Sequence, residues 1–254
     1  MPPRKPPTLK QKQHVTRGGK PWRRDFSARE RPSEEGPLWL YGLHTVSAAV
    51  ANPRRKWQRL VATRNAARDF APHLNAEILE PRGIDELLPE GAVNQGIAIY
   101  SEPLEQPALE DILAGAGPLL FLDQVTDPHN VGAILRSAAA FNATAIITTK
   151  RNAPAVTGVL AKSASGALEH VAYLQIANLA DALIAAGEAG YLRLGLDEKG
   201  GDFESRIPPE GKIAIVLGAE GAGLRERTRA ICDFLVQLPT TGAIRALNVS
   251  NAAA

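Results

Sequence analysis

A chain of 254 residues is long enough to bury a core in one large domain or in each of two modest ones. Its single cysteine, Cys232, excludes an internal disulfide and any metal site built from cysteines. A formal net charge of +2 hides an asymmetry, because residues 1–36 hold ten Lys or Arg against four acids, which leaves residues 37–254 at a formal −4.

Residues 1–36 are rich in Pro, Lys, Arg and Gly and poor in aliphatic side chains, so they bury too little surface to offset the entropy of ordering and read as a disordered basic arm. Such arms either solubilise a protein or attract phosphate backbones with little sequence specificity. The opening Met1-Pro2-Pro3-Arg4-Lys5 lacks the apolar core of a signal peptide, and no run of about 18 apolar residues spans a membrane; the expectation is a cytoplasmic protein.

From Pro37 the pattern changes to short apolar stretches alternating with helical ones: Leu38–Tyr41, His44–Ala51, Leu60–Thr63, a helix near Ala66–Leu74, Ile78–Leu79, Ile84–Leu88 and Gly96–Tyr100. This alternation predicts a small α/β domain over 37–101. His44 and the Arg54-Arg55-Lys56 cluster are its candidates for facing RNA, with capping or solvation as the plainer alternative. Pro103, Pro107, Gly115, Gly117 and Pro118 surround the helical stretch Leu109–Leu113, so 102–117 reads as a linker. Residues 118–254 then alternate again. Strands are expected at 119–123, 144–148, 170–174, 191–196, 213–217 and 234–238, with helices at 131–141, 155–164, 178–187 and 224–230. That order predicts a parallel sheet with helices on both faces.

Two of these strands end in glycine-bearing loops. The apolar run Lys212–Leu217 opens into Gly218-Ala219-Glu220-Gly221, and Phe234–Leu238 runs into Pro239, two Thr and Gly242. Ligands of open α/β sheets bind at the carboxyl ends of the strands. Upstream, Asp127-Pro128 precedes a helix whose N-cap region includes Asn130, a place that favours anions. Gly132 is expected to permit close approach of a ligand. Arg136, about one and a half turns further on, is suited to bidentate contact with a phosphate, with the small Ala133 and Ala140 leaving it room.

These motifs closely resemble the SpoU/TrmH family of RNA ribose 2′-O-methyltransferases. Asn130, Gly132 and Arg136 keep the family's N-x-G-x-x-x-R spacing; Leu217-Gly218-Ala219-Glu220-Gly221 and Leu247-Asn248-Val249-Ser250 are the second and third motifs, in the family's order. The resemblance covers roughly 38–254, and includes a smaller N-terminal domain of the kind found in the branch that methylates guanosine in 23S ribosomal RNA. It implies an L30e-like substrate-binding domain and a catalytic domain with a deep trefoil knot. It further implies S-adenosylmethionine as cofactor, no metal, RNA as partner (ribosomal first, transfer RNA second) and a homodimer. On the same footing Asn130, Arg136, Glu220, Asn248 and Ser250 surround the reacting oxygen. Glu220 orients Arg136 or the hydroxyl, and Leu217, Gly218, Gly221, Leu238 and Leu247 contact the cofactor. Lys162, Ser163 and Ser165 also match a family position, read as packing or dimer contact with RNA contact as the alternative.

Two departures stand out. Thr240-Thr241 and Arg245 replace residues common in relatives, and the chain stops at Ala254 where relatives continue for several helical turns, so the terminal helix is expected to be cut short. A non-catalytic RNA-binding descendant is the rival reading. A nucleotide-dependent oxidoreductase or kinase lacks its fingerprint here. His129 and His170 have no further ligands at metal-binding spacing.

Overall fold

The structure, a computed structural model, describes residues 36–70, 74–202, 211–240 and 247–254. The basic arm through residue 35, and Thr241 and Arg245 of the third motif, lie outside the described residues.

The first module comprises β1 (Leu38–Tyr41), α1 (Leu43–Ala51), β2 (Trp57–Ala62), α2 (Arg64–Phe70), β3 (Glu77–Ile78), α3 (Pro81–Asp85) and β4 (Ile97–Ser101). Its sheet runs β1-β4-β2-β3, with β4 antiparallel to both neighbours. After α4 (Leu109–Ala114) come β5 (Leu119–Asp123), α5 (Pro128–Ala140), β6 (Ala145–Thr149), α6 (Gly158–Ala164), β7 (Ala172–Ile176), α7 (Leu179–Glu188), β8 (Tyr191–Asp202), β9 (Lys212–Gly218), α8 (Glu226–Ile231), β10 (Phe234–Gln237) and α9 (Val249–Ala252). The second sheet is ordered β10-β8-β9-β5-β6-β7 and every pairing in it is parallel. The expected α/β architecture with a parallel sheet is therefore present.

Burial explains why these strands read as continuous apolar runs. In β5, Leu120 and Leu122 enter one core with Ile146, Tyr173 and Leu217, while Leu119 and Phe121 enter a second with Ile147, Leu174 and Val216. Successive side chains point to opposite faces, and helices cover both.

Element ends differ from expectation for local reasons. Helix α5 starts at Pro128 instead of 131, because the Asp127 side chain accepts from the His129 N–H at 2.9 Å and Pro128 takes the first helical position. Asp127 is therefore the cap, and Asn130 lies inside the first turn. Before β7, Ser165 and Gly166 turn through left-handed backbone (φ 53° and 93°) into a 3₁₀ turn at Ala167–Glu169, which moves that strand's start to Ala172. Strand β8 runs on to Asp202, with its pairing to β10 jumping from Gly195 to Gly201. Gly200 permits this, since a Cβ there would lie 2.3 Å from the main-chain carbon of Val236.

Gly132 carries a role different from the one expected. A Cβ on it would lie 2.4 Å from the Ser163 Cβ and 3.0 Å from Leu160 O, so the missing side chain lets α5 lie against α6 and offers nothing to a ligand. Gly132→Ala is expected to destabilise the fold by about 1–3 kcal/mol through overpacking, read as a lowered Tm. An unchanged Tm would show that the helix pair relaxes freely.

The two modules share one core. Leu40, Val46, Leu60 and Ile99 of the first pack in the same cluster as Ile134, Leu135, Leu160 and Ala164 of the second. Arg55 is buried and ion-paired with Glu169, donating a further bond to Glu102 O at 2.9 Å, while Asn52 Nδ2 reaches Glu169 Oε2 at 2.7 Å. Of the cluster weighed between solvent and an RNA face, Arg55 is thus an internal strut. Its neighbours Arg54 and Lys56 remain exposed, as does His44. The stretch read as a linker is anchored too, since Leu109, Ile112 and Leu113 of α4 are buried in the second core. Among the described residues no helix is long and apolar enough to cross a membrane.

Candidate active site

Strand order reverses beside β5. The chain winds from β5 outward to β6 and β7, then returns through β8 to place β9 on the other side of β5. Open α/β sheets form a crevice at such a point, outside the strands' carboxyl ends. Here those ends are Asp123 and Gly218, which are register partners.

The loop after β9 is closed on itself. Ala219 N donates to Gly223 O at 3.2 Å, and Gly223 N to Ala219 O at 2.8 Å. Gly218 allows this return, since a Cβ there would lie 2.2 Å from the Gly223 carbonyl carbon. Gly221 and Gly223 hold φ of 75° and 66°, and nothing stands within 4 Å of where their side chains would be. Main chain is therefore bare on this side of the loop. The loop's far end is fixed by Asp123, which is 0% exposed and accepts from Arg225 N at 3.0 Å and Arg225 Nε at 2.6 Å.

Sequence reasoning missed this pair. Its signal was an acid closing the otherwise apolar run Leu119–Leu122, followed by an arginine two residues after the last loop glycine. Asp123→Ala removes two charge-assisted bonds and is expected to cost about 1–3 kcal/mol, lowering Tm and loosening the loop; Asp123→Asn should recover part of the loss. Equal melting of wild type and Asp123→Ala would contradict this anchoring role.

At the tip of that loop the three motifs meet. Glu220 Oε1 accepts from Asn130 Nδ2 at 3.2 Å, from Asn248 Nδ2 at 2.7 Å and from Val249 N at 3.4 Å. Asn248 Nδ2 also reaches Asn130 Oδ1 at 3.1 Å. Asn248 caps α9, its Oδ1 accepting from Ser250 N at 2.8 Å and from the Ser250 hydroxyl at 2.5 Å. Residues 90 and 118 positions apart are thus wired into one exposed polar cluster. Four of the five expected catalytic residues are in it.

Arg136 is the fifth, and it stands apart. Six residues along an α-helix from Asn130 correspond to about 9 Å of axis and roughly 120° of rotation, so the N-x-G-x-x-x-R spacing sends the two side chains out of different sides of α5. Arg136 is exposed, and among the described residues no side chain hydrogen-bonds or ion-pairs with it. Of the two partners expected for Glu220, Arg136 or the substrate hydroxyl, Arg136 is not in contact with it, and the carboxylate is engaged by the two amides.

The five residues expected at the cofactor are spread more widely. Gly218 and Gly221 belong to the closed loop. Leu217 is 1% exposed and its side chain packs in the first core, leaving only its main chain to meet a ligand. Leu238 is half-buried just beyond β10, and Leu247 is 45% exposed. His129 Nδ1 lies 3.1 Å from Ser163 Oγ, and His170 is exposed. Among the described residues no group of three His, Cys, Asp or Glu could hold a metal ion.

Comparison with known proteins fits this arrangement. The model of the SpoU rRNA Methylase family matches residues 117–254. The 23S rRNA (guanosine-2′-O-)-methyltransferase RlmB of Ralstonia nicotianae is 42% identical over 223 residues, covering 83% of this chain and 90% of that protein. Its namesake from Burkholderia sp is 36% identical over the same shares. Among solved structures, the SpoU methyltransferase AviRb from Streptomyces viridochromogenes in complex with the cofactor AdoMet superposes with a TM-score of 0.70 at 24% identity, covering 86% of each chain. A TrmH-family protein from Porphyromonas gingivalis gives 0.68 at 24% identity, again over 86% of each. At that identity these two structures speak for the shared fold.

Proposed function

The chain belongs to the SpoU rRNA Methylase family, and from that premise we propose that it transfers a methyl group from S-adenosylmethionine to the ribose 2′-oxygen of a guanosine in 23S ribosomal RNA. The observation that carries the reading is the joining of three distant motifs through Asn130, Glu220 and Asn248 at the strand-order reversal. The substrate follows the relatives, which bear this activity in their names at 36% and 42% identity.

When bound, S-adenosylmethionine supplies a methyl group already activated by the sulfonium, so the protein's task is alignment and help with the hydroxyl proton. The bare main chain of Gly221, together with Leu217, Gly218, Leu238 and Leu247, is the surface we assign to it. What supports the fit is the open space at Gly221, where no side chain obstructs approach to main-chain groups. Glu220 holds the amides of Asn130 and Asn248 in place, and Ser250 fixes the Asn248 carbonyl. Those amides then orient the ribose for attack. Arg136 grips the adjoining phosphate. It acts by charge on the developing alkoxide and does not serve as the base.

We assign residues 37–101 to an L30e-like RNA-binding domain and 118–254 to the catalytic domain, joined through 102–117. A deep trefoil knot in the latter is carried over from the family resemblance. A homodimer is carried over from the family resemblance. The cytoplasm, where ribosomal RNA is made and assembled, is the compartment that follows from the substrate. Calorimetric titration of the full chain with S-adenosylmethionine should show saturable binding at one site per chain. Absence of binding by both this cofactor and S-adenosylhomocysteine would contradict the assignment.

A further inference from the structure

Where the two modules meet, one lysine is held in a manner that its packing role does not explain. Lys162 lies in α6, and its stem runs over Gly42, so that a Cβ on Gly42 would fall 2.8 Å from Lys162 Cδ. Its ammonium donates to the side-chain carbonyl of Gln95, which also accepts from Leu43 N at 3.1 Å. Gln95 has a φ of 57°, left-handed backbone that a non-glycine residue adopts at some cost. Its turn is braced by Asn94, whose Oδ1 accepts from Gly96 N at 2.8 Å and whose Nδ2 reaches Asp85 at 2.7 Å. A rigid, strained turn therefore aims one neutral oxygen at the ammonium.

The acceptor's neutrality matters. Among the described residues no carboxylate pairs with Lys162, although its partly buried position pushes the ammonium's pKa down. A half-desolvated cation fixed in place and left unneutralised gains by meeting an anion. Its location indicates which anion. The next residue, Ser163, lies 3.1 Å from His129, and His129 immediately precedes Asn130 of the catalytic cluster. A polar path thus leads from the first module across α6 to the reacting residues.

Resting on the RNA reading above, we infer that Lys162 is a phosphate-contacting residue, and that Gln95, Lys162, Ser163 and His129 form the track by which the RNA backbone passes from the first module to the methyl-transfer site. Lys162 supplies the charge, and Gln95 positions it.

The test is filter binding of the full chain to a 23S ribosomal RNA transcript at a series of KCl concentrations. Neutralising one phosphate contact changes the slope of log K against log salt by about 0.7–0.9, a readout that a purely structural residue does not move. Lys162→Gln should bind about tenfold more weakly at ~0.1 M salt and lose about one contact's worth of slope, while Lys162→Arg restores both. Gln95→Ala, which keeps the charge, should retain the wild-type slope with a smaller loss of affinity. Wild-type slope and affinity in Lys162→Gln would overturn the inference, as would a lowered Tm shared by Lys162→Gln and Gln95→Ala with the slope unchanged in both. A wild-type chain that binds the transcript but transfers no methyl group would sink the reaction assigned above and leave Lys162's part in binding standing.

Discussion

Replacing Glu220 by alanine lowers kcat for methyl transfer by about 10²–10³-fold while leaving the folded state in place. The expectation follows from what the carboxylate holds. One oxygen accepts from Asn130, Asn248 and the Val249 main chain, so it sets the relative position of side chains delivered by α5, by the β9 loop and by the start of α9. Without it the two amides still touch through Asn248 Nδ2 and Asn130 Oδ1, but among the described residues no other side-chain hydrogen bond ties that pair to the loop carrying Gly218 and Gly221. Loss of about 1 Å of registration between oriented groups is enough to cost about 10²-fold. Glu220 is exposed, so water takes its place without a buried polar group being stranded, and Tm should move by little. Glu220→Gln keeps an acceptor oxygen and should recover part of the rate. Single-turnover kinetics with saturating RNA and cofactor would check this, and a rate within twofold of wild type in Glu220→Ala would remove the cluster from the mechanism.

Arg136→Ala is the second large effect, with a different signature. The side chain is exposed and unpaired among the described residues, so its removal costs the fold little. Its value lies in a bidentate bond to an RNA phosphate formed only in the complex. The variant should bind S-adenosylmethionine as wild type does and lose about 10²-fold in kcat/KM for RNA. Arg136→Lys keeps the charge but not the planar fork, and should recover only a minor share. Arg136 and Asn130 leave α5 on different sides, yet both are assigned to the same ribose oxygen, so losses from Arg136→Ala and Glu220→Ala should be less than additive in free energy; strict additivity would place them on separate groups. Full turnover in Arg136→Ala would dispose of the clamp.

Much of the second module was legible because its strands are buried on both faces. Runs such as Leu119–Leu122 and Lys212–Leu217 leave little choice but a covered parallel sheet. The motifs that carry Asn130, Glu220, Asn248 and Ser250 were legible as well, and the fold brings those four side chains together. What local pattern cannot carry is the identity of a partner far away in sequence. Asn130 looked like a cap, and only the fold reveals Asp127 as the cap and Glu220 as Asn130's partner. Gly132 looked like room for a ligand and is room for α6. Arg55, in a basic triplet, looked solvated, yet its counter-charge Glu169 lies 114 residues on. Asp123 and Arg225 went unread for the same reason, since each is unremarkable until β9 is laid beside β5.

Incubating the full chain with methyl-labelled S-adenosylmethionine and a 23S ribosomal RNA transcript, then hydrolysing the RNA in alkali, identifies the acceptor atom directly. A methyl on the 2′-oxygen removes the nucleophile that alkali uses to cut the adjoining phosphodiester. Label is expected in an alkali-stable dinucleotide whose 5′ residue is a guanosine. Label recovered in mononucleotides would mean methylation of a base, and would contradict the ribose 2′-oxygen as the acceptor that the Asn130–Glu220–Asn248 cluster is held to orient.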